Sequence, residues 1–268
     1  MAERARRVPS GSRSRARVSD VDWQELPPAH AEELDENPWA WAAREPVVGD
    51  RVDVSRFHVT AVLVCFDAAR WLSATLAGLA ALDVRPARLV AIDNGSTDST
   101  HALLEKARTD GLLDAVYTGK KSLGFGQAVG SALRQDRAVL TGSTETGATG
   151  LLDTAALGEH PGWTRDRRWL WLLHDDAVPA PDTLYRLLAH AAVEHDLDVT
   201  GPKLLLPRRR QTNHQLSEVG VTISGTGRRD LLLDRGEIDQ GQRDQPAERL
   251  GVSTCGMLVR TAVWRDLD

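Results

Sequence analysis

The chain has 268 residues, of which 41% are hydrophobic and 26% charged, with a formal net charge of −5. That length and balance suit one sizeable α/β domain plus a tail, and they exclude a collagen-like or wholly disordered chain. Two cysteines, Cys65 and Cys255, are too few for a disulfide scaffold. Both lie in apolar runs, as buried free thiols in a reducing compartment do.

No apolar run approaches the roughly 18 residues of a membrane helix. The first twenty residues lack the apolar segment of a secretory signal. The acidic balance argues against a nucleic-acid partner. Charge is nevertheless uneven. Residues 1–20 carry six arginines against Glu3 and Asp20, a net of about +4 by six minus two, which leaves about −9 for the rest. Their Ser, Gly and Pro content predicts a disordered basic tail. A weak anchor for an acidic membrane surface is the alternative.

Residues 21–56 are acidic, dotted with Trp and punctuated by Pro27, Pro28, Pro38 and Pro46. They read as a linker with a short helix near 29–36. The folded domain is placed at 57–268. Val59–Cys65 is a short apolar run rich in β-branched residues, hence a buried strand. Leu72, Leu76 and Leu79 recur at helical spacing. Arg88–Ile92 is a second buried strand, Ser96–Ala107 a helix opened by hydroxyls and an acid, and Leu113–Tyr117 a third strand. Gly124–Leu133 reads as a helix, and Thr141–Gly150 as a mobile Gly/Thr-rich loop. Trp169–Leu173 is a strand that stops at His174-Asp175-Asp176. Leu184, Leu187, Leu188 and Ala191 mark a helix. Val199, Val219–Ile223 and Val252–Val259 mark later strands.

This alternation predicts a mostly parallel sheet covered by helices, an α/β fold whose ligands bind at the carboxyl ends of strands. Three polar clusters fall at such ends: Phe66-Asp67, Asp93 to Asp98, and His174 to Asp176. Adjacent carboxylates repel, and a hard divalent cation relieves that repulsion, so Asp175 and Asp176 point to Mg²⁺ or Mn²⁺. The plainer reading is a cap for the helix after Pro181. Asn94-Gly95 supplies a turn, and Ser96, Thr97 and Asp98 suit the start of a helix. That account does not require a carboxylate at Asp93, which could accept a hydrogen from a nucleotide base. Gly124-Phe-Gly126 has the wrong spacing and place for a dinucleotide fingerprint. A close-packed helix start beside a ligand fits it better. Glu237 and Asp239 lie in a polar loop with two readings, donor or acceptor contact and a solvated loop. Arg208–Arg210 reads as a solvated charge run, with diphosphate or lipid-phosphate binding as the alternative.

Together these segments resemble family 2 glycosyltransferases, which are inverting, use nucleotide sugars and have the GT-A fold. The resemblance covers about residues 58–268. It rests on Val64-Cys65-Phe66-Asp67, on Ala91 to Asp98, on Ser122 to Gly126, on Leu172 to Ala177 at the place of the family's DxD-type motif, and on Cys255-Gly-Met-Leu-Val-Arg260. The resemblance implies a GT-A-like fold and transfer of a sugar from a nucleotide-diphosphate donor to a cell-envelope or lipid-linked glycan. It implies donor contacts from Phe66, Asp67, Asp93, Asn94, Gly124 and Asp175. It also implies a metal, Mg²⁺ or Mn²⁺, on Asp176 with Asp175. His174 stands where the family carries the first Asp of its DxD. An inverting transfer needs a carboxylate base. The family carries it after the Met-Leu-x-Arg strand, so it is expected beyond Asp268. The corresponding location is the cytoplasm, at the cytoplasmic face of the membrane if the tail or a following segment makes peripheral contact. Two other classes remain open: a nucleotidyltransferase of related fold, and a nucleotide-sugar-binding remnant without catalysis. Against the former, Phe66–Trp71 carries no Gly-rich phosphate loop.

Overall fold

A computed structural model describes residues 51–121, 123–141, 167–206 and 214–267. The basic tail, the helix near 29–36, Ser122, residues 142–150 of the Gly/Thr-rich loop and Arg208–Arg210 lie outside the described residues. The unit from Val52 onward is built around one six-stranded sheet.

Strands β1 (His58–Cys65), β2 (Arg88–Asp93), β3 (Ala115–Thr118) and β4 (Arg168–His174) alternate with helices α1 (Leu72–Ala80), α2 (Thr100–Thr109) and α3 (Phe125–Thr141). Helix α4 (Thr183–Val193) leads to β5 (Val199–Thr200). Short strands β6 (Leu204–Leu205), β7 (Leu216–Glu218), β8 (Thr222–Ile223) and β9 (Arg229–Asp230) come next, and β10 (Leu258–Arg260) and α5 (Thr261–Leu267) close the chain. The main sheet has the order β3-β2-β1-β4-β10-β5. Its first four strands are parallel, and β10 runs antiparallel to both neighbours. The mostly parallel, helix-covered sheet predicted from the alternation is therefore present.

Period-two alternation of side chains sorts the core onto two faces. Ala61, Leu63 and Cys65 of β1 join Trp169, Trp171 and Leu173 of β4 beneath α1, α2 and α4. Val62 and Val64 join Leu170 and Leu172 beneath α3, with Val263 and Trp264 of α5 at the margin. Both faces are buried, which is why these strands read as continuous apolar runs. Each fully buried Leu contributes about 1.5–3 kcal/mol relative to exposure.

Several boundaries differ from expectation. Val52 and Arg56, placed in the linker, are tied to α4. The Val52 amide meets the Tyr185 hydroxyl at 3.2 Å, and Arg56 donates to the Ala192 carbonyl. Helix α2 begins at Thr100 rather than Ser96, because Ser96–Asp98 bond to the loop after β1. Helix α3 runs to Thr141, well past Leu133. The strand expected over 252–259 is confined to β10. The stretch 219–223 is broken by Gly220 at φ +100°, which separates β7 from β8.

Candidate functional site

Register decides where the polar clusters meet. Cys65 pairs with Asp93, Val64 with His174, and Asp93 with Thr118. Four parallel strands therefore end at one edge, and the residues just beyond them share it. In α/β sheets ligands bind outside this carboxyl edge.

The β1 end is held from three sides. The Phe66 amide donates to Asp175 Oδ2 at 2.8 Å. The Asp67 amide donates to Ser96 Oγ at 3.0 Å, and Asp67 Oδ1 accepts from the Thr97 amide at 2.7 Å and the Thr97 hydroxyl at 3.1 Å. Asp67 has φ +47°, a left-handed conformation uncommon for a non-glycine residue. The Ala68 and Ala69 amides donate to Thr100 Oγ1 and Asp98 Oδ2. Ser96, Thr97 and Asp98 were expected at a helix start, and Asp98 does accept from the Thr100 amide. The larger part of their work is to clamp the loop after β1. Phe66 itself is 42% exposed, and Lys121 Nζ lies 5.1 Å above its ring. A large exposed aromatic at a cleft edge is a ready stacking surface.

At the β2 end, Asp93 is buried. Its Oδ1 accepts from the Ser96 amide at 2.9 Å, and its Oδ2 lies 3.2 Å from His101 Nδ1. The Asn94 amide donates to the Cys65 carbonyl, and Asn94 Nδ2 donates to the Leu123 carbonyl at 2.9 Å. Asn94 thus ties the turn to the start of α3. Asn94 Oδ1 is buried without a hydrogen-bond partner, and a Cβ on Gly119 would come within 2.9 Å of it. Gly124 precedes α3, where an added Cβ would meet only Gln127 Oε1, at 4.0 Å. The protein's own packing does not demand glycine there.

At the β4 end, the side chains diverge. The His174 ring stacks on Phe125 with centroids 4.4 Å apart, and its Nε2 is 2.9 Å from Thr254 Oγ1. Burial holds its pKa below the ordinary value, against the opposing pull of Asp176 and Asp175. The ring braces segment 252–257 against β4. Asp175 points the other way, toward Phe66, and its carbonyl accepts from the Thr75 hydroxyl at 2.8 Å. Burial raises the Asp175 pKa; the Phe66 amide opposes that, and Asp176 adds to it. Asp176 is exposed. Its carboxylate makes no hydrogen bond or ion pair among the described residues.

These residues fit a hard divalent cation. Asp176 is free to coordinate, and Asp175 keeps Oδ1. Among the described residues no group of three or more His, Cys, Asp and Glu gathers as a cage. Mg²⁺-type ions are bound by one or two carboxylates, with waters and substrate phosphates completing the shell.

The sequence-level residues Phe66, Asp67, Asp93, Asn94, Gly124, Asp175 and Asp176 all lie along this strand-end edge or at the helix start tied to it. Glu237 and Asp239 are engaged elsewhere. Glu237 accepts from the Asp234 amide, Gln242 and Arg243. Asp239 pairs with Lys203 at 2.7 Å, and Lys203 also meets Asp244. Sequence reasoning missed His101, Lys121 and Thr254. Only the place of His101 in the first turn after the Asp93 turn could have signalled it. Arg260 of the Met-Leu-Val-Arg motif is not at the cleft. It donates to the Leu197 and His195 carbonyls, pairs with Asp198 and covers the Trp169 ring.

Residues 56–268 match the family model described as "Glycosyltransferase like family 2". No curated protein gives a significant sequence match. Among solved structures, S. aureus TarS is similar at 18% identity and a TM-score of 0.37, over 59% of this chain and 24% of that one. The mannosyltransferase PcManGT from Pyrobaculum calidifontis, in complex with GDP-Man and Mn²⁺, gives 20% identity and a TM-score of 0.38, over 55% of this chain and 36% of that one. Glucosyl-3-phosphoglycerate synthase from Mycobacterium tuberculosis, in complex with UDP, gives 16% and 0.31, over 53% and 43%. The chain spans less than half the length of each. The family match takes in the whole six-stranded sheet and every strand-end residue described above, and by it the chain belongs to glycosyltransferase family 2.

Proposed function

We propose that the protein transfers a sugar from a nucleoside-diphosphate donor to an acceptor hydroxyl, and that the strand-end cleft holds the donor. The observation that supports this most is the register of β1, β2 and β4. It brings an exposed aromatic ring (Phe66), a buried carboxylate (Asp93) and two adjacent carboxylates (Asp175 and Asp176) to one edge.

In this reading Phe66 packs against the base, and Asp93 accepts a base N–H. Asp67 and Asn94 hold the two strand-end turns that frame the base, and Gly124 leaves room for the donor in front of α3. Asp176, with Asp175, would hold Mg²⁺ or Mn²⁺. When bound, that ion supplies charge neutralisation for the departing nucleoside diphosphate. Asp175 does two jobs, because the Phe66 amide bond fixes both its carboxylate and the stacking ring. The acceptor hydroxyl must lose its proton to a base. Glu237 and Asp239 are held by internal bonds, and we assign that base to neither of them. A cell-envelope or lipid-linked glycan is the proposed acceptor. The cytoplasm is the proposed setting, with the basic tail as a contact to anionic membrane. No described helix is long and apolar enough to cross a membrane.

Calorimetry of nucleoside diphosphate binding with and without Mn²⁺ tests the reading. Asp176→Asn should abolish the metal-dependent part of the affinity while the far-ultraviolet dichroism stays unchanged. Unaltered metal dependence in this variant would remove Asp176 from the site.

A further inference from the structure

Glu218 is a charge that packing does not require. Leu216 and Glu218 share the buried face of β7, since side chains alternate along a strand. The Glu218 Oε2 accepts from Arg229 Nη2 at 3.1 Å, whereas its Oε1 is buried with no hydrogen-bond partner among the described residues. Arg229 is 63% exposed, so this ion pair offsets little of the cost of burying the carboxylate. The Glu218 side chain keeps 12% of its surface open, and the soft χ3 torsion lets the carboxylate turn its free oxygen toward that opening.

The fold places this carboxylate beyond Asp175 and Asp176, on the side away from Phe66 and Asp93. Along the sheet, β4 is followed by β10, opposite to β1 and β2. Segment 252–257 leads into β10 and is bonded to β4 through Thr254 and Gly256. On its other side it rests on Gly201 and Pro202. A Cβ on Gly201 would lie 3.0 Å from Val252 Cβ, and one on Gly256 would lie 2.8 Å from Pro202 Cγ. The chain then enters β6, where Leu204 pairs with Glu218. Cys255, inside the segment, feels both sides. Its thiol pKa is pushed up to about 11 by burial, and further by the charges of Asp176 and Glu218.

We propose that Glu218 is a specificity-determining residue of a sugar subsite, where its free oxygen accepts a hydroxyl of the sugar being transferred. The inference rests on the donor reading above and deepens it. A nucleotide sugar runs in the order base, ribose, diphosphate, sugar. With the base at β1 and β2 and the diphosphate at the carboxylates of β4, the sugar extends past Asp176 toward segment 252–257 and β7. A carboxylate only accepts, so it favours a hydroxyl directed at it over a deoxy or alkylated position. A buried oxygen without a partner is costly in the unliganded protein, and a hydroxyl that satisfies it turns that cost into affinity. An inward charge on a short strand also guards against edge pairing, but that role has no link to the sugar.

The test is calorimetric binding, with Mn²⁺, to the full chain and to its Glu218→Met and Glu218→Gln variants. The ligands are UDP-glucose, UDP-galactose, UDP-GlcNAc, GDP-mannose and dTDP-rhamnose, each beside its parent UDP, GDP or dTDP. The quantity read is the affinity of each sugar nucleotide divided by that of its nucleoside diphosphate. In Glu218→Met this ratio should fall at least about tenfold for the sugar nucleotide that the unsubstituted chain binds best, the scale of one hydrogen bond to a charged group. Glu218→Gln keeps an acceptor oxygen and should retain more of the ratio than Glu218→Met. Affinities for the nucleoside diphosphates themselves should stay unchanged in both. Because Oε1 is unpaired without a ligand, Glu218→Met should keep or raise the unliganded Tm. A ratio that falls by less than about threefold overturns the inference. So does a lowered Tm with sugar nucleotides and nucleoside diphosphates weakened alike, the mark of a structural carboxylate. If no nucleoside diphosphate binds the unsubstituted chain, the donor reading fails and this inference with it. If they bind and the ratio ignores Glu218, this inference alone fails.

Discussion

His58 opens β1 at the end of the sheet opposite the cleft, paired in register with Arg168. Burial, reinforced by the Arg168 charge, holds its pKa below the ordinary 6.5. A histidine depressed in this way binds fewer protons folded than unfolded. Its contribution is complete above pH 6.5 and is lost as pH falls from there through the folded value. The slope for one such group is at most about 1.4 kcal/mol per pH unit. His58→Gln should flatten the acid side of a urea-unfolding series between pH 7.5 and 5.5. His174 carries a shift of the same sign and leaves a residual slope. An identical slope in the variant would show that His58 plays no part. A second residue-scale case is Asp136, buried on α3. It takes two oxygens' worth of bonds from Arg88 Nε, at 2.8 and 2.9 Å, and one from the Tyr117 hydroxyl at 2.6 Å. These bonds pin the start of β2 and the end of β3 to one helix. Tyr117→Phe removes one hydrogen bond to a charged group and should cost about 1.5–3 kcal/mol. Asp136→Ala leaves the arginine uncompensated and should cost about 3–5 kcal/mol. Equal losses in the two variants, read from chemical unfolding, would mean that Arg88 does not depend on Asp136.

Segment 252–257 shows best how an element can be built by packing rather than by propensity. The Gly256 amide donates to the Leu172 carbonyl at 2.9 Å, and its carbonyl accepts from Trp171 Nε1 at 3.1 Å. Its φ is +84°, and a Cβ there would lie 2.8 Å from Pro202 Cγ. Gly256→Ala therefore combines a left-handed backbone penalty with overpacking, about 2–4 kcal/mol together. The loss should be visible in urea unfolding, together with a change in Trp171 fluorescence; full stability would mean that Pro202 yields easily. The same segment marks the limit of what the sequence disclosed. Strands β1, β2 and β4 were legible because burial on both faces demands unbroken apolar runs, and Val59–Cys65 and Trp169–Leu173 supply them. The strand-end carboxylates were legible for a related reason, since a charge directly after such a run has no packing role. Within 201–251 the one strand read from the sequence, Val219–Ile223, is broken by Gly220. Among the described residues there, the strands are two or three residues long, and the loops between them are held by pairs such as Lys203–Asp239 and Arg229–Glu218, which have no period to read. Val252–Val259 looked like a strand because it is apolar, yet only its end pairs; the rest leans on Pro202 and β4. Ser96–Asp98 looked like caps because caps and loop clamps use the same short polar side chains. The inward turn of His174 had no signal, because it depends on Thr254, 80 residues further along the chain.

At the scale of the whole molecule, the cleft and the core share their elements. The residues that would hold the donor extend directly from β1, β2 and β4, and these strands carry both hydrophobic faces of the sheet. A ligand at this edge bridges three strand ends, and the unfolded chain has nothing comparable to offer it. Binding to the folded state alone stabilises by RT ln(1 + [L]/Kd), about 2.7 kcal/mol at one hundred times Kd. For a domain of this size each kcal/mol moves the midpoint by about 2–4 °C, so a saturating nucleoside diphosphate with Mn²⁺ should raise Tm by roughly 5–10 °C. Part of the rise should need Mn²⁺ and part should not, because Asp175 and Asp176 hold the cation while Phe66 and Asp93 contact the base in the proposed arrangement. Differential scanning calorimetry at several ligand concentrations reads it. Asp176→Asn should lose the Mn²⁺-dependent part of the rise and keep the unliganded Tm, since Asp176 is exposed and makes no bond among the described residues. Asp175→Ala should lower the unliganded Tm as well, because it removes the oxygen that accepts from the Phe66 amide. If the two variants behaved alike without ligand, the Asp175–Phe66 bond would carry no stability, and the proposed coupling between the stacking surface and the cation site would fall.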